Sequence, residues 1–120
     1  MKYLWCTIMT SKMEESMAFY QEVIGLEIER QQEMGSKKLV FLTDGNVNVE
    51  LIYDPEYQPL EKIEGISIGF GVDDLDDAMA LMQQKKVAIA EGPYAPNPHV
   101  TFFYVRDPNG VKVQIFKAMP

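Results

Sequence analysis

The chain has 120 residues, with 11 Lys and Arg against 18 Asp and Glu and a net charge of −7. That length holds one domain of ordinary size, long enough to bury about two thirds of its unfolded surface without a metal or disulfide. The acidic balance excludes a phosphate-tracking face, so nucleic acid and anionic membranes are not expected partners. With 47% hydrophobic and 24% charged residues the chain is globular rather than disordered. Cys6 is the single cysteine, which leaves no intrachain disulfide and no cysteine zinc site and fits a reducing compartment. No run of 18 apolar residues is present, so no bilayer span is expected. Met1–Trp5 carries one basic residue and too short an apolar stretch for a signal peptide. The expected location is the cytoplasm.

Taken in chain order, Tyr3 to Thr10 is rich in β-branched and aromatic residues and predicts a strand. Ser11-Lys12-Met13-Glu14 has the form of a capping box. Met13, Met17, Tyr20 and Ile24 follow at helical spacing, with Gly25 placed as a C-terminal cap. Leu26 to Gln31 and Lys38 to Thr43 predict strands, and Asp44-Gly45-Asn46 turns the chain. Val47, Val49 and Leu51 alternate with Asn48, Glu50 and Ile52, a strand with one face on a core. Residues 55–64, with Pro55 and Pro59, are a connection. Gly65 to Val72 alternates Ile66, Ile68, Phe70 and Val72 with Ser67, Gly69 and Gly71, so the second face of that strand is nearly bare. Asp73-Asp74 starts a helix with Leu75, Met79 and Met82 inward, and its acidic start complements the helix dipole. Val87 to Ala90 predicts a short strand. Gly92, Pro93, Pro96, Pro98 and the only histidine, His99, mark a loop. Thr101 to Val105 and Val111 to Phe116 are strands around the tight turn Asp107-Pro108-Asn109-Gly110.

Both halves thus run strand, helix, three strands. The first strands match 62 residues apart, Trp5 with Ser67, and the last strands 64 apart, Glu50 with Gln114. The expected fold is α+β: two βαβββ modules, 1–54 and 65–117, joined by 55–64 in a single domain 1–120. Each sheet has a helix for one side only, so the other sides must curl together within one chain or across a dimer.

Ala18-Phe19-Tyr20-Gln21-Glu22-Val23-Ile24-Gly25-Leu26 and Phe103-Tyr104-Val105-Arg106-Asp107-Pro108-Asn109-Gly110, on a doubled module, resemble the vicinal oxygen chelate superfamily. That group contains glyoxalase I, the bleomycin- and fosfomycin-resistance proteins and the extradiol dioxygenases. The resemblance covers nearly the whole chain and implies curved sheets forming a concave cup with metal ligands on four strands. Those positions fall on Trp5, Glu50, Ser67 and Gln114, where the family usually has His, Glu or Gln, His and Glu. Only Glu50 is a strong ligand, whereas a catalytic divalent site needs about three protein ligands and an iron oxygenase two His and a carboxylate. No metal and no cofactor are therefore expected.

Strand alternation sends Tyr3, Thr7 and Met9 to the face of Trp5, and Asn48 and Ile52 to that of Glu50, with Leu39 and Phe41 beside them. Phe102, Tyr104, Lys112, Gln114 and Phe116 line the second module. The expected ligand-binding set is Trp5, Phe41, Glu50, Ser67, Phe102, Tyr104 and Gln114, an aromatic cup with a few polar groups, as small-molecule pockets are built. The first functional expectation is a metal-independent, homodimeric protein that holds a small planar or hydrophobic ligand, similar to bleomycin-resistance proteins. The alternative is a glyoxalase-like lyase or isomerase with Glu50, desolvated by Trp5 and Phe41, as general base. A third is an interaction domain with a vestigial cup.

Overall fold

Trp5, Thr7 and Met9 alternate with Cys6, Ile8 and Thr10 along β1 (Trp5–Thr10), the period-two pattern that gives a strand two chemically different faces. The computed structural model describes residues 1–46 and 48–118. Two compact units make up the chain, Met1–Glu61 and Lys62–Pro120, and each carries one four-stranded mixed sheet and helical cover.

In the first unit β1 leads to α1 (Met13–Ala18), a π-helical segment (Phe19–Ile24), β2 (Glu27–Met34), β3 (Lys37–Thr43) and β4 (Asn48–Tyr53). The sheet order is β1-β4-β3-β2, with β1 parallel to β4 and the remaining neighbours antiparallel. Its back face packs Ile8, Val40, Leu42, Val49 and Leu51 against Phe19, Tyr20 and Leu26, all of them buried. Each such apolar side chain contributes about 1.5–3 kcal/mol. Val47, expected on this core face, lies outside the described residues.

The helix start corrects one expectation. The N-cap position is Lys12, with no side-chain cap, and the capping box of Ser11 and Glu14 does not form. The buried Thr10 hydroxyl instead accepts the Lys12 N–H at 2.8 Å, and the Ser16 hydroxyl, 3.0 Å from it, donates to the Lys12 carbonyl at 2.7 Å. The strand's own last residue thereby ties off the helix entry. The widened turn over Phe19–Ile24 lets adjacent aromatics, Phe19 and Tyr20, both reach the core, with their rings edge-to-face at 4.9 Å. Gly25 ends it at φ 93°, a left-handed cap as expected.

The second unit runs β5 (Ser67–Gly71), α2 (Leu75–Gln84), β6 (Glu91–Asn97), β7 (Val100–Arg106) and β8 (Lys112–Ala118), in sheet order β5-β8-β7-β6. Its back face buries Phe103, Val105, Val113 and Ile115 with Ala78 and Met82 of α2. The Asp74 side chain caps α2 by accepting the Asp77 N–H at 2.9 Å.

Two readings are overturned here. Val87–Ala90 is not a strand: Val87 and Ile89 line one surface cavity with Met79 and Met82 of α2, and the Val87 N–H closes on the Met82 carbonyl. The proline-rich stretch expected as a loop is instead β6. It is an edge strand, where the missing proline N–H costs no ladder bond, and it pairs with β7 at only Glu91, Tyr94 and Asn97. Ile66 precedes β5 and is exposed.

Candidate functional site

The face of each sheet opposite its helix collects the polar and aromatic residues. In the first unit, β1, β4 and β3 align Thr7, Glu50 and Phe41 in one cross-strand row, with Trp5 and Asn48 one step along. Trp5 meets Phe41 edge-to-face at 5.2 Å, an arrangement that adds about 0.5–1.5 kcal/mol beyond area burial. Trp5 keeps 39% of its surface exposed, while Phe41 keeps 3%. Glu50 is 6% exposed and accepts the Thr7 hydroxyl proton at 2.6 Å through Oε1. Its other oxygen has no bond to any described residue. A carboxylate so held has one oxygen left for a ligand donor.

The row ends at Arg30, opposite Phe41 on β2, with its guanidinium carbon 4.1 Å from the ring centroid. Strand alternation alone misplaces this residue. The register shifts between Ile28 and Arg30, and such a bulge moves one residue to the other face. Only the pairing with β3 reveals it.

In the second unit the corresponding row is Gly69, Gln114, Tyr104 and Glu91. Gln114 Nε2 donates to the Tyr104 hydroxyl at 3.4 Å. The strand is bare at Gly69, and a Cβ there would lie 3.3 Å from Gln114 Oε1, so the glycine makes room for the amide. Phe102 contacts Tyr94, Tyr104 and Phe116 at centroid distances of 5.6, 5.7 and 6.3 Å. Lys112 Nζ sits 4.2 Å over the Tyr104 ring and pairs with Glu91 at 2.5 Å. That hydrogen bond pulls the Glu91 carboxyl below the ordinary carboxylate range and raises the Lys112 ammonium. Ser67 is exposed and pairs in register with Lys112, one step from Gln114. His99 is exposed in the β6–β7 turn, where its N–H binds Asn97 Oδ1 at 2.8 Å.

Of the seven expected residues, Trp5, Phe41 and Glu50 come together on the first sheet, and Phe102, Tyr104 and Gln114 on the second, with Ser67 at the margin of that cluster. Arg30 and Glu91 were missed, because each follows from a strand register that bulges.

The residues at the implied metal positions do not fit a catalytic ion. An indole, a carboxylate already bonded to Thr7, a hydroxyl and an amide bonded to Tyr104 offer one charged donor. Among the described residues no group of three or more His, Cys, Asp and Glu is gathered for a metal. Cys6 lies on the back face, where burial pushes its thiol up and away from thiolate chemistry. No helix among the described residues is long and apolar enough to cross a membrane.

Residues 2–115 match the family model of the Glyoxalase/Bleomycin resistance protein/Dioxygenase superfamily. Among solved structures the chain is similar to the trypanothione-dependent glyoxalase I of Leishmania major, at 23% identity and TM-score 0.84, covering 98% of this chain and 86% of that one. It is similar to TnmS3, an antibiotic-binding protein from Streptomyces sp. CB03234, at 19% identity and TM-score 0.75, covering 98% and 97%. Glyoxalase I from Zea mays aligns at 16% identity and TM-score 0.86, covering 99% of this chain and 45% of that one. No curated protein sequence matches the chain.

Proposed function

The chain belongs to the Glyoxalase/Bleomycin resistance protein/Dioxygenase superfamily, and from that premise we propose that it is a metal-independent binding protein for a small planar or hydrophobic molecule. The observation that carries this reading is the half-exposed Trp5 edge-on to Phe41, with Glu50 beside them presenting one unbonded oxygen. An aromatic platform next to a single directional acceptor is how small-molecule sites combine affinity with orientation. The similarity to an antibiotic-binding protein supports the same reading. The aromatic cluster around Phe102, with the Gln114 amide, is the second ligand-facing surface. Residues 1–120 act in this reading as one functional domain.

Trp5 is the only tryptophan, so its fluorescence reports this face alone. A panel of planar aromatic compounds should quench or shift it, and Trp5→Ala should weaken binding by about tenfold, the upper end of a desolvated aromatic pair. Elemental analysis should find well under one transition metal per chain. A tightly held metal, lost in Glu50→Gln, would overturn metal independence.

A second reading has its own observation, the buried Glu50 carboxylate oriented by Thr7. In that reading Glu50 is the general base of a glyoxalase-like lyase or isomerase, and takes a proton next to a substrate carbonyl. Glu50→Gln separates the two. A binder loses at most one hydrogen bond to a charged group, about 1.5–3 kcal/mol. An enzyme loses about a hundredfold or more in turnover of 2-oxoaldehyde thiol adducts while binding persists.

A further inference from the structure

The repeat supplies an internal control. The row Thr7, Glu50, Phe41, Arg30 occupies the same sheet positions as Gly69, Gln114, Tyr104, Glu91, and Asn48 the same position as Lys112. Each sheet carries a cation over an aromatic ring, Arg30 on Phe41 at 4.1 Å and Lys112 on Tyr104 at 4.2 Å. The two differ in how the charge is met. Lys112 is neutralised by Glu91. The Arg30 side chain makes neither an ion pair nor a hydrogen bond with any described residue. Glu27, opposite Thr43, and Glu50, opposite Phe41, are the carboxylates in register on its face, and neither bonds to it. Its neighbours along that face, Gln32 and Leu39, are neutral.

We propose that Arg30 determines ligand specificity: the front face of the first sheet takes a planar ligand bearing a carboxylate, its ring against Trp5 and its carboxylate on the Arg30 guanidinium. This rests on the reading of that face as a small-molecule site. A guanidinium presents a rigid fork of donors that matches a carboxylate in two parallel hydrogen bonds. Contact with Phe41 holds the fork in place, and the exposed position on β2 leaves its donors open to a ligand. The whole-chain field opposes the event, because the net charge is −7. A preference for an anion is therefore the work of a local group and not of general attraction.

The test is a titration of Trp5 fluorescence with two isosteric quenchers, 4-nitrobenzoate and the neutral 4-nitrobenzamide. The carboxylate is expected to bind about tenfold or more tighter, the usual gain of a charge-assisted hydrogen bond, and added salt should erode the difference. Arg30→Gln should abolish the preference, with 4-nitrobenzoate losing about tenfold more affinity than 4-nitrobenzamide, and Arg30→Lys should retain part of it, with circular dichroism confirming the fold of both. Equal binding of the two compounds to the unaltered protein, or an undiminished preference in Arg30→Gln, overturns this proposal and leaves the binding site standing. If neither compound affects Trp5, the small-molecule reading of the face fails and the role of Arg30 with it.

Discussion

Asp107 opens the tight turn before β8 and is buried. Its Oδ1 accepts the N–H groups of Asn109 and Val111, each at 2.8 Å. Both are buried donors, and a buried donor without a partner costs about 1–3 kcal/mol. Asp107→Ala should lower unfolding free energy by at least that amount in chemical denaturation, and Asp107→Asn, which keeps an acceptor oxygen, by less. Gly69 tests the opposite face of that sheet instead. Gly69→Ala suits a strand better than glycine does, so the fold should hold. The new Cβ would press on Gln114 Oε1 at 3.3 Å, and NMR of the Gln114 side-chain amide should show it shifting. An unmoved amide would mean that the bare strand does not set its position.

The Glu91–Lys112 pair makes a signed prediction for pH. The hydrogen bond to Lys112 lowers the Glu91 carboxyl, and the bond to Glu91 raises the Lys112 ammonium. The stabilisation from Glu91 is thus full above the unfolded carboxylate pKa, about 4.3, and is lost as pH falls through the folded value. That from Lys112 is full below the unfolded lysine pKa, about 10.4, and is lost as pH rises through the folded value. Glu91→Gln should therefore differ from the parent in denaturation at neutral pH, and the two should converge at both extremes. Parallel curves at every pH would show that solvent screening cancels the pair.

At the scale of elements, the doubled strand-helix-strand-strand-strand order was legible because its signals are local. Gly25, Gly45 and Gly110 all take positive φ where the chain turns or caps, and the alternation of Val49 and Leu51 with Asn48, Glu50 and Ile52 fixes two faces. Trp5, Phe41 and Glu50 could be assigned to one face on the same ground. The helix entry departs from the capping box because the acceptor that competes with Ser11 is a strand residue, Thr10, whose burial is a tertiary fact. Arg30 and β6 were hidden by bulges, which break the period on which the reading depends. Arg106 shows another nonlocal device. It donates to the carbonyls of Ile63 and Gly110 at 2.8 and 2.9 Å and pairs with Glu64 at 3.0 Å, fastening the segment that enters the second unit to its last turn. The Ile63 N–H also binds the Gly110 carbonyl at 2.9 Å. Arg106→Ala should speed hydrogen exchange at Ile63 while Val113, in the strand core, stays protected. Arg106→Lys should not restore it, since an ammonium lacks the fork.

At the scale of the molecule, family membership and a homodimer are separate matters, and the second is our proposal. Each sheet ends in two edge strands, β1 and β2 in the first unit and β5 and β6 in the second. Edge strands present unpaired backbone groups that invite another chain unless they are covered or charged. β2 carries Glu27, Glu29, Arg30 and Glu33, and β6 carries two prolines, both of which are protective features. β1 and β5 have neither. Of the two, β1 is preceded by Tyr3 and Leu4, exposed at 67% and 56%, and begins with Trp5, a cluster of apolar surface of the kind that marks an interaction face. A second copy of this chain, meeting it along β1, is the proposed partner. Light scattering should therefore give about twice the 13.7 kDa of one chain. Because each copy carries a charge of −7, added salt should tighten the association by screening repulsion between the copies. Ile8 of β1 is buried, whereas Leu4, just before the strand, is exposed, so Leu4→Asp tests the face without opening the core. The variant should remain folded and scatter as a monomer. A parent protein that is monomeric at tens of micromolar would sink the proposal and leave β1 to be covered within its own chain.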